Sequence, residues 1–225
     1  MKKKLVILTG AGISAESGIA TFRDSNGLWS NYRVEDVATP EGYFKNKALV
    51  LDFYNKRRAE LENVEPNKAH LVLAELESDF DVTIITQNID DLHERAGSTH
   101  IIHLHGELTK ISDENKNNIK NIGYNKISIG DKVGATQARP WIVWFGEAVP
   151  EMENAIREVE EADYFVVIGT SLNVYPAASL INYTKKNCNV FIIDINNLNI
   201  SQNITFINKK ATEGINDLKD MLLGK

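Results

Sequence analysis

Three histidines stand close together in THIIHLHGEL, at His100, His103 and His105. An imidazole titrates near neutral pH, so it can move a proton, orient a neighbour or ligate a metal. The H-x-x-H-x-H spacing admits a metal site, structural histidines or one general base, and on a strand His103 and His105 share a face. Just upstream, TQNIDD supplies the amides of Gln87 and Asn88, which bind hydroxyls and an ordered water without adding charge. Asp90 and Asp91 can serve in a site or as N-terminal acids of the next helix. Gly10, Gly12 and Gly18 in LVILTGAGISAESGIATFRD could let backbone N–H groups approach a pyrophosphate. The third glycine is late for G-x-G-x-x-G, and the next clear strand ends in Gln87-Asn88 instead of an acid, so a plain strand-to-helix turn is the alternative. Tyr54 and Arg57 fall on one helix face and could grip a carboxylate. The competing reading is a solvated basic face shared with Lys56 and Arg58.

These residues need elements to position them. KLVIL (4–8), DVTIITQN (81–88), THIIHLHG (99–106), WIVWFGE (141–147), DYFVVIGTSL (163–172) and VFIIDINN (190–197) read as strands. A helical turn is expected from Ser17 to Arg23. Helices are expected over Lys47–Leu61, 66–78 with Pro66 near the first turn, 90–97 stopped by Gly97, 151–162, 176–187 and 211–223. Alternation predicts an α/β fold, a Rossmann-like doubly wound parallel sheet with a small inserted lobe. Thr9-Gly10, Gln87-Asn88, Gly169-Thr170-Ser171 and Asp194-Ile195-Asn196 end strands, where such sheets bind ligands. Four polar ends suit one extended polar ligand.

The 225 residues carry 43% hydrophobic and 25% charged side chains and a net charge of −6. That balance is globular and argues against general nucleic-acid binding. The lone Cys188 allows no intrachain disulfide. The apolar run after MKKK is too short for a signal peptide or a membrane span. A soluble, cytoplasmic monomer is expected.

GAGISAESGIATFRD, TQNIDDLHERAG, HLHGEL, WFGE, GTSLNVYPAA and DIN occur in this order. Together they resemble the sirtuins, the NAD-dependent protein lysine deacylases, over nearly the whole chain; EDVATPEGYF and PNKAH resemble the bacterial branch. The resemblance implies that NAD lies in a cleft beside a small lobe and is consumed. Gly10, Ala11, Gly12 and Ser14 would hold phosphates and ribose. Phe22, Arg23 and Asp24 would cover the nicotinamide. Gln87, Asn88, Ile89 and Asp90 would surround the nicotinamide ribose and carboxamide, with Asn88 and Asp90 counted catalytic. Gly169, Thr170, Ser171, Asn196 and Ala211 would line the phosphate and adenosine half. His105 matches the catalytic histidine. Tyr54 and Arg57 match the Y-x-x-R of members that remove succinyl and malonyl as well as acetyl groups. Val143, Phe145, Gly146 and Glu147 would carry the acylated protein segment by strand addition; an ordinary buried strand is the alternative.

Most sirtuins hold a structural zinc through two cysteine pairs between the HG and FGE motifs. Here residues 107–143 contain neither cysteine nor histidine, and the acids Glu107, Asp113, Glu114 and Asp131 alone are poor zinc ligands. No structural zinc is expected, and a hairpin around Gly123 is expected in its place. The NAD-binding lobe is assigned to 1–26, 62–108 and 144–225, the small lobe to 27–61 and 109–143. An NAD glycohydrolase or ADP-ribosyltransferase, or a non-catalytic binder, are the competing functions.

Overall fold

The run KLVILT is apolar on both faces, as a central parallel strand must be. It forms β1 (Lys4–Thr9), with Leu5 to Leu8 fully buried. The structure, a computed structural model, describes residues 2–21, 32–196 and 203–224, so Phe22, Arg23 and Asp24 lie outside the described residues. β1 pairs with β2 (Asp81–Thr86), which pairs with β3 (Ile101–His103). On its other side it pairs with β9 (Tyr164–Ile168), followed by β10 (Asn189–Ile193) and β11 (Ile204–Ile207). All these pairings are parallel, in the order β11-β10-β9-β1-β2-β3. The chain therefore reverses its direction of winding between β1 and β9, the place where doubly wound sheets bind ligands.

Helices cover both faces. α5 (Lys68–Glu75) and α8 (Ala211–Leu223) pack on one cluster with Leu5, Ile7, Ile84 and Ile193. α7 (Met152–Glu161) and a 3-10 helix, Ala177–Tyr183, cover Val6, Leu8, Phe165 and Ile192. Asn67 starts α5 with a capping box shared with His70. Its Nδ2 also donates to the Ile13 carbonyl (2.7 Å) and Ser17 Oγ (3.0 Å), so PNKAH supports the glycine turn.

A third apolar cluster joins α2 (Val34–Val37), α3 (Pro40–Lys45) and α4 (Lys47–Leu61) to an antiparallel sheet. That sheet has the order β5-β4-β8, with β4 (Gly106–Ser112), β5 (Lys120–Asn121) and β8 (Arg139–Ile142). Leu92, Leu108 and Trp144 pack into the same cluster. A two-stranded ribbon follows, β6 (Lys132–Val133) with β7 (Thr136–Gln137).

Several expectations need correction. The turn after β1 is helical at once, as α1 (Ala11–Ser14) and a 3-10 turn over Ala15–Ser17, ahead of the expected Ser17 start. No hairpin closes on Gly123: Lys120 and Asn121 pair with the longer β4, and the tight ribbon turns at Gly134 (φ +60°). Within 176–187 only Ala177–Tyr183 is helical, and it is a 3-10 helix, which apolar periodicity does not separate from an α-helix. THIIHLHG is a strand only to His103, because Gly106 (φ +80°) turns the chain beneath the Trp141 carbonyl. WIVWFGE is a strand only to Ile142. β11 was absent from the sequence-predicted elements; ITFI is short and follows a polar run.

Candidate active site

The parallel register sets Thr9 beside Ile168, so the two glycine turns leave adjacent strand ends. Gly10 N–H donates to the Ile168 carbonyl (3.0 Å) and Gly12 N–H to the Gly169 carbonyl (2.9 Å). A Cβ on Gly12 would lie 2.6 Å from Gly169 Cα, and one on Gly169 (φ +62°) 2.4 Å from Ile13 N. These glycines therefore do a job that the spacing alone did not disclose: they let two turns pack backbone on backbone. Ala11 opens α1, and Glu16 reaches across to receive the backbone N–H (3.0 Å) and hydroxyl (2.8 Å) of Thr212. That carboxylate caps α8 beside Ala211 and ties the glycine turn to the last helix.

Asn88, Asp90 and Ser14 form one buried polar knot. Asn88 Nδ2 donates to Ser14 Oγ and to the Gly10 carbonyl, each at 3.1 Å. Ser14 Oγ donates to Asp90 Oδ2 (2.9 Å), and Asp90 Oδ1 accepts the Leu92 N–H (3.2 Å) at the start of α6 (Leu92–Ala96). Asp90 thus serves the knot and the helix together. Burial pushes its carboxyl above the usual range, against the hydrogen bonds from Ser14 and Leu92. Asp91 stands at the N-cap of α6, the N-terminal position expected of a helix acid; its carboxylate takes the Tyr124 hydroxyl (2.6 Å) and makes no side-chain cap hydrogen bond.

The histidines hold successive carbonyls of the same loop. His105 Nδ1 lies 3.0 Å from the Gln87 carbonyl, and His103 Nδ1 3.3 Å from that of Asn88. A carbonyl only accepts, so both Nδ1 atoms carry hydrogen. His105 Nε2 is then the basic nitrogen, and burial lowers this imidazole's pKa, partly offset by the Gln87 bond. Gln87 Nε2 in turn donates to Thr170 Oγ1 (3.1 Å), linking the ends of β2 and β9. Ser171 is half-buried beside it. Asn196 folds back, its N–H (2.8 Å) and Nδ2 (3.1 Å) both donating to Asp194 Oδ1.

Arg57 lines a cavity of about 490 Å³ with Ile19, Val64, Ile89, Asp90 and Leu108. Tyr54 lies deeper, 2% exposed, and its oxygen accepts the Trp144 Nε1–H (2.9 Å). Burial pushes the phenol up to about 12. The basic triplet is no solvated face: Arg58 is fully buried and donates to the Leu108 carbonyl (2.8 Å) and Asn55 Oδ1 (2.7 Å).

Val143, Phe145, Gly146 and Glu147 follow β8 as a turn and are not strand residues. Val143 N–H donates to the His105 carbonyl (2.9 Å) and Phe145 N–H to that of Ala38 (3.0 Å). Gly146 has φ +88° and is exposed. The Glu147 carboxylate is spent inside the protein on Trp144 N–H (2.7 Å), Arg139 Nη1 (3.1 Å) and Lys116 Nζ (2.8 Å). The positive neighbours hold this carboxylate in an internal ion pair and keep its pKa down, so any part Glu147 takes in strand addition falls to its main chain.

Sequence reasoning missed a buried chain behind the site. His93 Nε2 meets Thr9 Oγ1 (3.1 Å), which donates to Thr86 Oγ1 (2.9 Å), which accepts the Asn88 N–H (3.0 Å). The His70 ring packs edge-on to His93. Only the neighbouring TQN and PNKAH motifs hinted at these residues.

With a doubly wound sheet, two interlocked glycine turns and a histidine bound to the loop that carries an amide–acid knot, the chain belongs to the Sir2 family: the Sir2 family model matches residues 10–176. It is 56% identical over 230 residues to an NAD-dependent protein deacylase of Bacteroides thetaiotaomicron, covering 98% of each chain. It is 51% identical to one of Helicobacter pylori over 224 residues, again 98% of each. A solved Sir2 homologue mutant in complex with ADP-ribose superposes at a TM-score of 0.88 and 40% identity, covering 100% of this chain and 95% of the other. A Sir2 homologue–NAD complex does so at 0.88 and 40%, covering 99% and 90%.

Proposed function

We propose that this protein is an NAD-dependent protein-lysine deacylase that releases nicotinamide, O-acyl-ADP-ribose and free lysine. The observation that carries the reading is His105, with Nδ1 committed to the Gln87 carbonyl and Nε2 left as the basic nitrogen, on the loop whose next residue, Asn88, joins the Ser14–Asn88–Asp90 knot. The strand ends are compatible with NAD: Gly10, Gly12 and Gly169 let the two turns close backbone on backbone, and beside them stand the amide of Gln87 and the hydroxyl of Thr170, which bind hydroxyls without adding charge. NAD, when bound, supplies the anomeric carbon from which nicotinamide departs.

The chain's own residues divide the work. Gly10, Ala11, Gly12 and Ser14, with Gly169, Thr170, Ser171, Asn196 and Ala211, hold the dinucleotide. Gln87, Asn88, Ile89 and Asp90 position the nicotinamide ribose, and fixing the reactants in line provides much of the rate. His105 Nε2 removes a ribose hydroxyl proton. Phe22, Arg23 and Asp24 keep their proposed role over the nicotinamide.

Arg57 in its cavity supports acceptance of acidic acyl groups alongside acetyl. The Trp144 bond uses a lone pair of the Tyr54 oxygen, so the phenol proton can still donate to a carboxylate. The small lobe is read as zinc-independent. In support, Asp113 accepts the N–H groups of Asn115 (3.0 Å) and Asn117 (2.8 Å), and Arg139 and Lys116 converge on Glu147. Relatives named deacylases and a Sir2 structure with a deacetylated p53 peptide and 3'-O-acetyl ADP ribose, 28% identical at a TM-score of 0.80, agree with this class of substrate.

The test is incubation with NAD and acetyl- or succinyl-lysine peptides, with products identified by mass. O-acyl-ADP-ribose is expected. Free ADP-ribose without peptide would mean an NAD glycohydrolase, and no turnover a binder. If Arg57→Met loses both acyl activities equally, the carboxylate role is wrong.

A further inference from the structure

Glu94 on α6, His103 at the end of β3 and Glu107 in β4 converge beside the reaction centre. Their ligand atoms all lie within 4.8 Å of one another, the one such grouping of three among the described residues. His103 Nε2 sits 2.7 Å from Glu94 Oε1. Its Nδ1 donates to the Asn88 carbonyl (3.3 Å). A metal-binding imidazole has this arrangement, one ring N–H fixed on a carbonyl and the other nitrogen aimed at the ion. The His103 side chain is 8% exposed, while Glu94 at 40% and Glu107 at 21% are reachable from solvent.

We propose that Glu94, His103 and Glu107 bind one divalent transition-metal ion of the zinc class, through Nε2 and one oxygen from each carboxylate, with water in the fourth position. Ligands about 2 Å from a tetrahedral ion stand about 3.3 Å apart. Rotation of the two half-exposed glutamates closes the gap. The dication neutralises two carboxylates, and the proton on Nε2 leaves to solvent as the metal–nitrogen bond forms. An imidazole nitrogen favours zinc, nickel or copper over magnesium or calcium. Lys110 Nζ, 2.5 Å from Glu107 Oε1, competes with the ion for that carboxylate. The site differs in kind from a structural zinc: it is open to solvent, so a chelator removes the ion without unfolding the chain. Occupancy ties α6, β3 and β4 together on both sides of His105.

Full-length protein stripped by chelator is titrated with Zn²⁺ against a chromophoric chelator, and with Co²⁺ followed by visible absorption. One ion per chain is expected. Affinity should fall at least tenfold in Glu94→Gln, His103→Gln and Glu107→Gln, and rise several-fold in Lys110→Met. Circular dichroism confirms that each variant is folded, and the two glutamate variants suffice if His103→Gln is not. Absence of saturable one-to-one binding, or wild-type affinity in both glutamate variants, overturns the proposal.

Discussion

The Ser14 hydroxyl donates to Asp90 Oδ2 at 2.9 Å while accepting Asn88 Nδ2 at 3.1 Å, with all three residues buried. One hydroxyl therefore satisfies an acid and an amide contributed by a different segment of the chain. Ser14→Ala strands both groups, a cost of about 1–3 kcal/mol. It also removes a hydrogen bond that lowers the Asp90 pKa, so that carboxyl titrates higher still. A lower denaturation midpoint and a fall in kcat/KM of roughly tenfold or more are expected. Urea titration and steady-state kinetics with an acetyl peptide check both.

His105→Asn should reduce deacylation by about 10²–10⁴-fold, the usual worth of a positioned base. NAD binding, measured by calorimetry, should survive, because the side chain meets a carbonyl of the loop and not the glycine turns. Burial lowers the imidazole pKa, so the acid limb of kcat/KM should turn below the ordinary imidazole value. A limb centred above pH 7 would contradict His105 as the base.

His70 and His93 give stability a pH dependence of known sign. Burial lowers His70 to about 4, and His93 falls well below its ordinary value. Below about pH 6.5 the unfolded chain takes up protons that the native chain refuses. Stability is therefore complete above that pH and declines as pH falls toward 4, by about 2 kcal/mol at pH 5 for His70 alone. His103, raised mainly by the Glu94 hydrogen bond against its burial, works in the opposite direction. Urea midpoints at pH 7.5 and 5 should differ less in His70→Gln than in wild type; equal differences would remove His70 from the explanation.

Arg139 stacks on the Trp144 ring at 3.7 Å and pairs with Glu147. Glu147→Ala leaves this guanidinium, 4% exposed, without its carboxylate, a loss of about 3 kcal/mol. Denaturation with and without chelator checks this and the zinc-independent reading of the lobe. The variant should be destabilised equally in both conditions, and chelator should leave wild type folded, its midpoint lowered only by the linkage of the ion proposed at Glu94, His103 and Glu107. A wild-type midpoint that collapses on chelation would reveal a structural metal.

The strands β1, β2 and β9 and the helices α7 and α8 were legible in the sequence, because each carries a strong apolar pattern over enough residues to outvote local chance; α4 was legible too, as a long run without proline or glycine. Their alternation is enough to require a parallel sheet with its ligand edge at Gly10, Asn88 and Gly169. The polar lobe was poorly legible: Lys120 and Asn121 form a strand only because β4 offers an edge.

Residue types and order alone thus determined the α/β class and the polar strand ends, since these depend on periodicity and on chemistry local to a motif; the choice of His105 among the histidines came from the family resemblance. Tertiary structure alone decided the partners. Gly12 meets Gly169, His105 meets Gln87, and Tyr54 meets Trp144 across 157, 18 and 90 positions of chain. It also decided that Glu147 faces inward, to Arg139 and Lys116. The physical reason is that a hydrogen bond or ion pair is set by distance in space, and the folding of the sheet and lobe sets that distance.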